Sequence, residues 1–208
     1  MADLDRPVVV FDLGNVLIDW NPRYLYRKIF DGDEEKVSWF LENVATADWN
    51  ASFDAGRPMA DGIAEKSAEH PDHKDAIAAW QGRWIETIKG PIDGSVAILE
   101  TLNDSGVTLH AITNWSAETF PLAKERFAFL GIFQTITVSG EVGLIKPGRE
   151  IFDLFAERTG VQPGEAVFID DSRANIETAS ALGFDAIHFT SADDLRSEMA
   201  KRFPDLSF

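Results

Sequence analysis

Near its start the chain reads Pro7-Val-Val-Val-Phe-Asp12, and this run limits its fold more than any other. Val8 to Phe11 are β-branched or aromatic, without polar alternation. A continuous apolar run of this length is the pattern of a parallel strand buried on both faces. We expect a strand over Val8–Asp12 that stops at the charge, followed by Leu13-Gly14-Asn15. An Asp at the carboxyl end of such a strand lies where open α/β sheets hold their ligands. The same Asp can equally be a residue that caps the next element.

Later stretches repeat the arrangement. Val107–Ile112 reads as a strand ending in Thr113-Asn114, and Ala166–Ile169 as one ending in Asp170-Asp171. Thr135–Ser139 is a short strand followed by a Gly-rich connection that carries Lys146-Pro147 into a helix. Helices are expected over Ser95–Ser105, Leu122–Phe129, Glu150–Thr159 and Ala174–Leu182, three of them closed by Gly106, Gly160 and Gly183. Asp185–Phe189 reads as a last strand. Alternation of this kind predicts an α/β fold, a Rossmann-like doubly wound parallel sheet with helices on both faces.

Residues 17–91 read differently. Helices are expected from Asn21 or Pro22 through Ile29, from about Asp33 through Val44, over Met59–Lys66 and over Lys74–Trp84, with no strand-like alternation. A structureless loop of that length is implausible inside a compact domain. We therefore divide the chain into an α/β core of residues 1–16 and 92–208 and an inserted helical cap of residues 17–91.

Composition excludes several classes. A net charge of −16 over 208 residues leaves no basic stripe for nucleic acid or an anionic membrane. The chain has no cysteine, hence neither a disulfide framework nor thiol chemistry. Met1–Arg6 is short and acidic, unlike a targeting segment, and no apolar run approaches membrane-spanning length. The expectation is a cytoplasmic protein, monomer or homodimer, whose partner is a small anionic molecule.

The chemistry-bearing residues collect at strand ends. Parallel strands bring Asp12, Thr113 and Asp170-Asp171 to one edge, with Lys146 in a loop at the same edge. Carboxylates gathered there repel one another and favour a cation, and oxygen ligands suit Mg²⁺. A lysine and a hydroxyl suit a bound anion. Nucleophilic carboxylate, cation and anion site together make a coherent set for phosphoryl transfer.

These stretches resemble the four motifs of the haloacid dehalogenase superfamily, in its branch with a helical cap after the first strand. Phe11-Asp12-Leu-Gly-Asn-Val16 resembles the first motif and Ile112-Thr113-Asn114 the second. Gly143-Leu-Ile-Lys146-Pro147 resembles the third and Phe168-Ile-Asp170-Asp171-Ser-Arg-Ala-Asn175-Ile the fourth. The resemblance implies that Asp12 is the nucleophile, forming an aspartyl-phosphate that water hydrolyses. It implies that the Thr113 hydroxyl and the Asn114 backbone hold phosphoryl oxygens, and that Lys146 neutralises charge on nucleophile and phosphate. Asp12, Asp171 and the Gly14 carbonyl would bind Mg²⁺, with Asp170 orienting Lys146 or a metal-bound water.

One position departs from the family's phosphatases, which usually carry a second Asp two residues after the nucleophile as general acid/base. Here that position is Gly14. Some sugar-phosphate phosphatases of the family share the Asp-Leu-Gly-Asn-Val motif, so the expected function is Mg²⁺-dependent hydrolysis of a small phosphorylated metabolite, with sugar phosphates among the candidates. The alternative is a 2-haloacid dehalogenase, which uses the same nucleophile without metal. It lacks the acid pair kept here, and it binds its substrate through an arginine for which Arg23 and Arg27 are candidates. A third reading is a catalytically weak module that binds phosphate and Mg²⁺. Most of the six tryptophans read as packing within residues 17–91. Trp20 and Trp115, close to motif residues, are candidates for lining the substrate pocket, with Arg23 beside them.

Overall fold

The strand β1 (Val8–Phe11) forms the centre of a five-stranded parallel sheet in the computed structural model, which describes residues 6–208. Most of the Met1–Arg6 stretch, read above as no targeting segment, lies outside the described residues. Side chains alternate across a strand, and both faces of β1 are covered. Val9 and Phe11 join one buried cluster, and Val10 joins another with Ile112, Phe152, Phe155 and Phe168. Each such side chain contributes about 1.5–3 kcal/mol on burial. The unbroken apolar run of β1 thus follows from packing on both sides.

The chain leaves β1 through a tight loop into β2 (Ile18–Trp20), then enters the helices α1 (Arg23–Ile29), α2 (Glu34–Asn43), α3 (Ala47–Asp54), α4 (Met59–Glu69) and α5 (Lys74–Gly82). It returns through β3 (Ile88–Pro91), which pairs antiparallel with β2. The remainder alternates helix and strand: α6 (Asp93–Asp104), β4 (Leu109–Thr113), α7 (Phe120–Arg126), β5 (Thr135–Val138), the single turn α8 (Ser139–Val142), α9 (Arg149–Thr159), β6 (Ala166–Asp170), α10 (Arg173–Leu182), β7 (Asp185–His188) and α11 (Ala192–Arg202). The sheet order is β5-β4-β1-β6-β7. The connections therefore run outward on one side of β1 and then on the other, which puts the reversal of strand order beside β1. Ligands of open α/β sheets bind at such a reversal, outside the carboxyl ends of the strands.

The expected α/β sheet is present, and several details correct the sequence reading. Residues 17–91 hold the β2–β3 ribbon, where no strand was expected. Its strands are three and four residues long and far apart in sequence, so no periodicity marks them. The helices α3 and α11 were also not anticipated. Thr46 caps α3 by accepting the Trp49 N–H at 3.2 Å, and Ser191 caps α11 from the Asp194 N–H at 3.1 Å. The helix expected at Leu122–Phe129 begins at Phe120 and gives way to a 3₁₀ turn over Ala128–Ile132. Among the described residues, no helix is long and apolar enough to cross a membrane.

The helical segment does not have a separate core. One cluster runs without a break from Val9, Phe11 and Leu13 of the sheet to Val37, Phe40, Trp49, Phe53 and Trp80 of the helices. Trp49 meets Phe53 and Trp80 edge-on at 4.7 and 5.4 Å between ring centroids.

Candidate active site

Asp12 follows β1 directly. Its N–H donates to the Ile169 carbonyl at 2.8 Å, so the neighbouring strand β6 fixes where the side chain starts. Its Oδ1 accepts the Leu13 N–H at 2.7 Å and lies 3.0 Å from Lys146 Nζ. The Lys146 side chain is fully buried, and its ammonium also donates to Asp170 Oδ2 at 2.6 Å and to the Ile112 carbonyl at 2.8 Å. A buried lysine keeps its charge only with such partners. Burial works to lower its pKa, but the charges of Asp12 and Asp170 outweigh burial and hold it above its ordinary value.

Asp170 is fully buried at the end of β6. Asn175 Nδ2 reaches both of its carboxylate oxygens at 2.9 Å, and the Ser172 N–H donates to Oδ1 at 2.8 Å. The carboxylate is thus fully engaged in holding Lys146 and the start of α10. Asp12, Asp170 and Asp171 place oxygen atoms within 4.8 Å of one another. Burial raises Asp12 above the usual carboxylate range, with further upward pushes from Asp170 and Asp171 against the lowering effect of Lys146. Burial and the charge of Asp170 likewise raise Asp171. Carboxylates crowded and desolvated in this way are a donor set a divalent cation would relieve, so these residues fit Mg²⁺.

Thr113 ends β4, buried, and its hydroxyl has no hydrogen-bond partner. Asn114 clamps the Lys146 segment: its Nδ2 donates to the Lys146 carbonyl at 2.9 Å and its Oδ1 accepts the Lys146 N–H at 2.8 Å. This leaves the Asn114 side chain committed to the loop. Asn15 adopts φ 55° in the turn after Asp12, a conformation Asn tolerates.

A cavity of about 310 Å³ opens over these groups. Asp12, Gly14, Asn114, Lys146 and Asp171 line its sheet side, and the two candidate tryptophans, Trp20 and Trp115, also line it. Thr113 and Asp170 do not contribute to its wall. Arg23, expected beside the substrate, is not part of it either, and this corrects its expected place. Its guanidinium is bonded to Glu34 at 3.3 Å and Ser38 Oγ at 3.0 Å at the start of the helical segment. Arg27 is tied to the same Glu34.

The structure adds residues the sequence reading passed over. Asn50, Asp54, Met59 and Trp84 form the wall contributed by the helical segment. Asp54 is the last residue of α3, and its Oδ2 accepts from Asn50 Nδ2 at 3.0 Å. Burial pushes its carboxyl up to about 7, against the opposing pulls of the Ser116 backbone and Asn50. The Asn-x-x-x-Asp spacing that puts both on one helix face was the available signal. It carries no weight until the helix is known to face the site.

The family model for haloacid dehalogenase-like hydrolases matches residues 7–183. The chain belongs to that family and is a hydrolase. Among curated relatives, a sesquiterpene phosphatase from Aspergillus oryzae is 23% identical over 183 residues, covering 88% of this chain and 89% of the relative. A phosphoglycolate phosphatase from Salmonella choleraesuis is 24% identical over 221 residues, covering 96% and 87%. Among solved structures, a HAD-like hydrolase from Porphyromonas gingivalis aligns with a TM-score of 0.73 at 20% identity, covering 94% of this chain and 97% of that one. A HAD family enzyme from Bacteroides thetaiotaomicron, in complex with magnesium and inorganic phosphate, aligns with a TM-score of 0.65 at 22% identity, covering 89% and 95%. An L-2-haloacid dehalogenase from Xanthobacter autotrophicus aligns with 0.64 at 14% identity, covering 94% and 83%. At these identities the structural likenesses show the fold alone, which phosphatases and dehalogenases share.

Proposed function

We propose that this chain is a Mg²⁺-dependent phosphatase acting on a small phosphorylated metabolite, with Asp12 as nucleophile and residues 17–91 as a cap over the site. The observation that carries this reading is the cluster of Asp12, Asp170 and Asp171, whose oxygens lie within 4.8 Å of one another. A metal-free dehalogenase would use Asp12 as nucleophile and Asp170 to hold Lys146, but would have no use for Asp171 as a third carboxylate beside them. Phosphatases among the relatives and a structural neighbour holding magnesium and phosphate support the same reading.

Asp12 and Asp171, with the Gly14 carbonyl, would hold the Mg²⁺, because Asp170 is already engaged by Lys146 and Asn175. Bound there, the ion would supply positive charge against the phosphoryl oxygens. In this mechanism an Asp12 carboxylate oxygen attacks phosphorus, the phosphorus–ester oxygen bond breaks and the alcohol departs, leaving the aspartyl-phosphate. Lys146, held at 3.0 Å from Asp12, offsets the negative charge that Asp12 and phosphate bring together. The Asn114 backbone on the cavity wall donates to a phosphoryl oxygen, and the orphan Thr113 hydroxyl beside it in the chain becomes a second donor once substrate binding opens the wall there. Water then releases inorganic phosphate and regenerates Asp12. Pre-aimed charge of this kind is usually the largest catalytic contribution.

The test is phosphate release from a panel of phosphorylated metabolites, with Mg²⁺ and with EDTA, beside chloride release from 2-chloropropionate. We expect phosphate release that EDTA and Asp12→Asn both abolish. EDTA-insensitive chloride release would make the chain a dehalogenase. Silence in both assays would leave a module that binds phosphate without turning it over.

A further inference from the structure

The cavity contains a carboxyl group that the mechanism above does not use. Among its lining residues the ionisable side chains are Asp12, Asp54, Lys146 and Asp171. Asp12 is the nucleophile, Asp171 adjoins it in the carboxylate cluster, and Lys146 is bound by two carboxylates and a carbonyl. Only Asp54 has no part in that mechanism, and α3 contributes it to the wall of the same cavity. The phosphate occupies the sheet side in the proposed mechanism, so the leaving group of a bound ester must extend toward that wall.

Gly14, where the family's phosphatases usually place their acid, offers no carboxyl. Crowding is not the cause, because a Cβ built there would meet no atom within 4 Å. The turn after Asp12 thus leaves open the space from which a proton would ordinarily be delivered.

We propose that Asp54 takes over this task from the opposite wall, donating the proton that the leaving-group oxygen needs; this rests on the phosphatase reading above. As Asp12 attacks, the bond between phosphorus and the ester oxygen breaks and its electron pair stays on that oxygen. The proton passes from the Asp54 carboxyl to this oxygen, and the alcohol departs. The Asp54 carboxylate then takes a proton from the water that attacks the aspartyl-phosphate. Inorganic phosphate leaves, and both carboxyl groups return to their starting states. The net reaction is ester plus water to alcohol plus phosphate.

The local structure suits the role. Asp54 ends α3, where the helix dipole disfavours negative charge. The Asn50 amide holds one carboxylate oxygen at 3.0 Å. Trp49 and Phe53, both buried, anchor the same turn of helix in the core. Burial raises the carboxyl to about 7, into the range where a group can both give and take a proton near neutral pH. The other ionisable groups lining the cavity are Asp12, Lys146 and Asp171, while the groups bonded to the Asp54 carboxyl are Asn50 and the Ser116 backbone.

The experiment compares kcat/KM for p-nitrophenyl phosphate and phenyl phosphate in wild type, Asp54→Asn and Asp54→Ser, with Mg²⁺ present. Neither ester carries a hydroxyl that Asp54 could recognise. p-Nitrophenolate departs without a proton, whereas phenolate needs one more. Loss of a general acid is worth roughly 10²–10⁴-fold, and we expect that loss to fall on phenyl phosphate far more than on p-nitrophenyl phosphate in both variants. Because the ratio is taken within each variant, partial loss of folded protein cancels. An equal loss on both esters, or no loss, overturns the role of Asp54. A wild-type enzyme silent on both esters would instead overturn the phosphatase reading on which it rests.

Discussion

Lys146 shows what a single residue does in this site. It is a buried cation between two carboxylates, one of them, Asp170, with no exposure at all. Removing one partner of a buried pair leaves the other uncompensated, at a cost of about 3–5 kcal/mol. Lys146→Ala should therefore lower stability by that amount in urea unfolding, and adding Asp170→Asn should restore part of it. A second prediction concerns Asp54, which burial raises from the ordinary aspartate value to about 7 in the folded state. Its protonated form favours the folded state. That contribution is complete below about pH 4, declines as pH rises, and is gone above about 7. Asn carries no charge at any pH. Thermal melts with EDTA should therefore show Asp54→Asn gaining on wild type between pH 4.5 and 8, by about 1–3 kcal/mol for a half-buried group. A gap that shrinks toward pH 8 would contradict the burial of this carboxyl.

At the scale of elements, the loop after β4 has little room. Gly140, in the turn α8, lies so close that a Cβ there would stand 2.4 Å from the Ala117 nitrogen and 2.7 Å from the Trp115 carbonyl. These are backbone atoms that cannot rotate away. Gly140→Ala should cost about 1–3 kcal/mol in stability and should raise KM, because it displaces Trp115 and Ser116 on the cavity wall. A circular dichroism melt and a saturation curve would read both effects. An unchanged melt would mean that the loop is looser than its contacts imply. The same packing explains why α8 was read only as a Gly-rich connection. Its glycine is set by a neighbour across the fold, not by a turn in its own sequence.

Across the whole molecule, polar contacts tie the helical segment to the α/β core as well as the shared core does, and Glu118 makes two of them. Glu118, in the loop after β4, accepts the Met59 N–H at the start of α4 at 2.7 Å and Gln81 Nε2 near the end of α5 at 2.8 Å. Glu118→Ala removes both bonds. Amide exchange should quicken over residues 59–82 while the amides of β1, β4 and β6 keep their protection. Uniform acceleration would instead point to global destabilisation. In the proposed reading this contact helps to hold the cap against the site, and KM should rise several-fold in the same variant.

The sequence by itself determined the sheet, its parallel sense and the residues at its carboxyl edge. The three central strands β1, β4 and β6 are largely apolar runs ended by a polar residue, a pattern local enough to be read from neighbours. Asp12, Thr113 and Asp170-Asp171 could be named for that reason, and Lys146 from the Gly-rich connection that precedes α9. Tertiary structure decided the rest, because the deciding partners are remote. Asn114 clamps Lys146 from 32 residues away, β2 pairs with β3 across the whole helical segment, and Arg23 turns to Glu34 and away from the cavity. Asp54 is one of fourteen acidic residues in residues 17–91 by sequence, marked by nothing in its own neighbourhood. Only folding carries α3 over the sheet edge, and only there does burial change what that carboxyl can do.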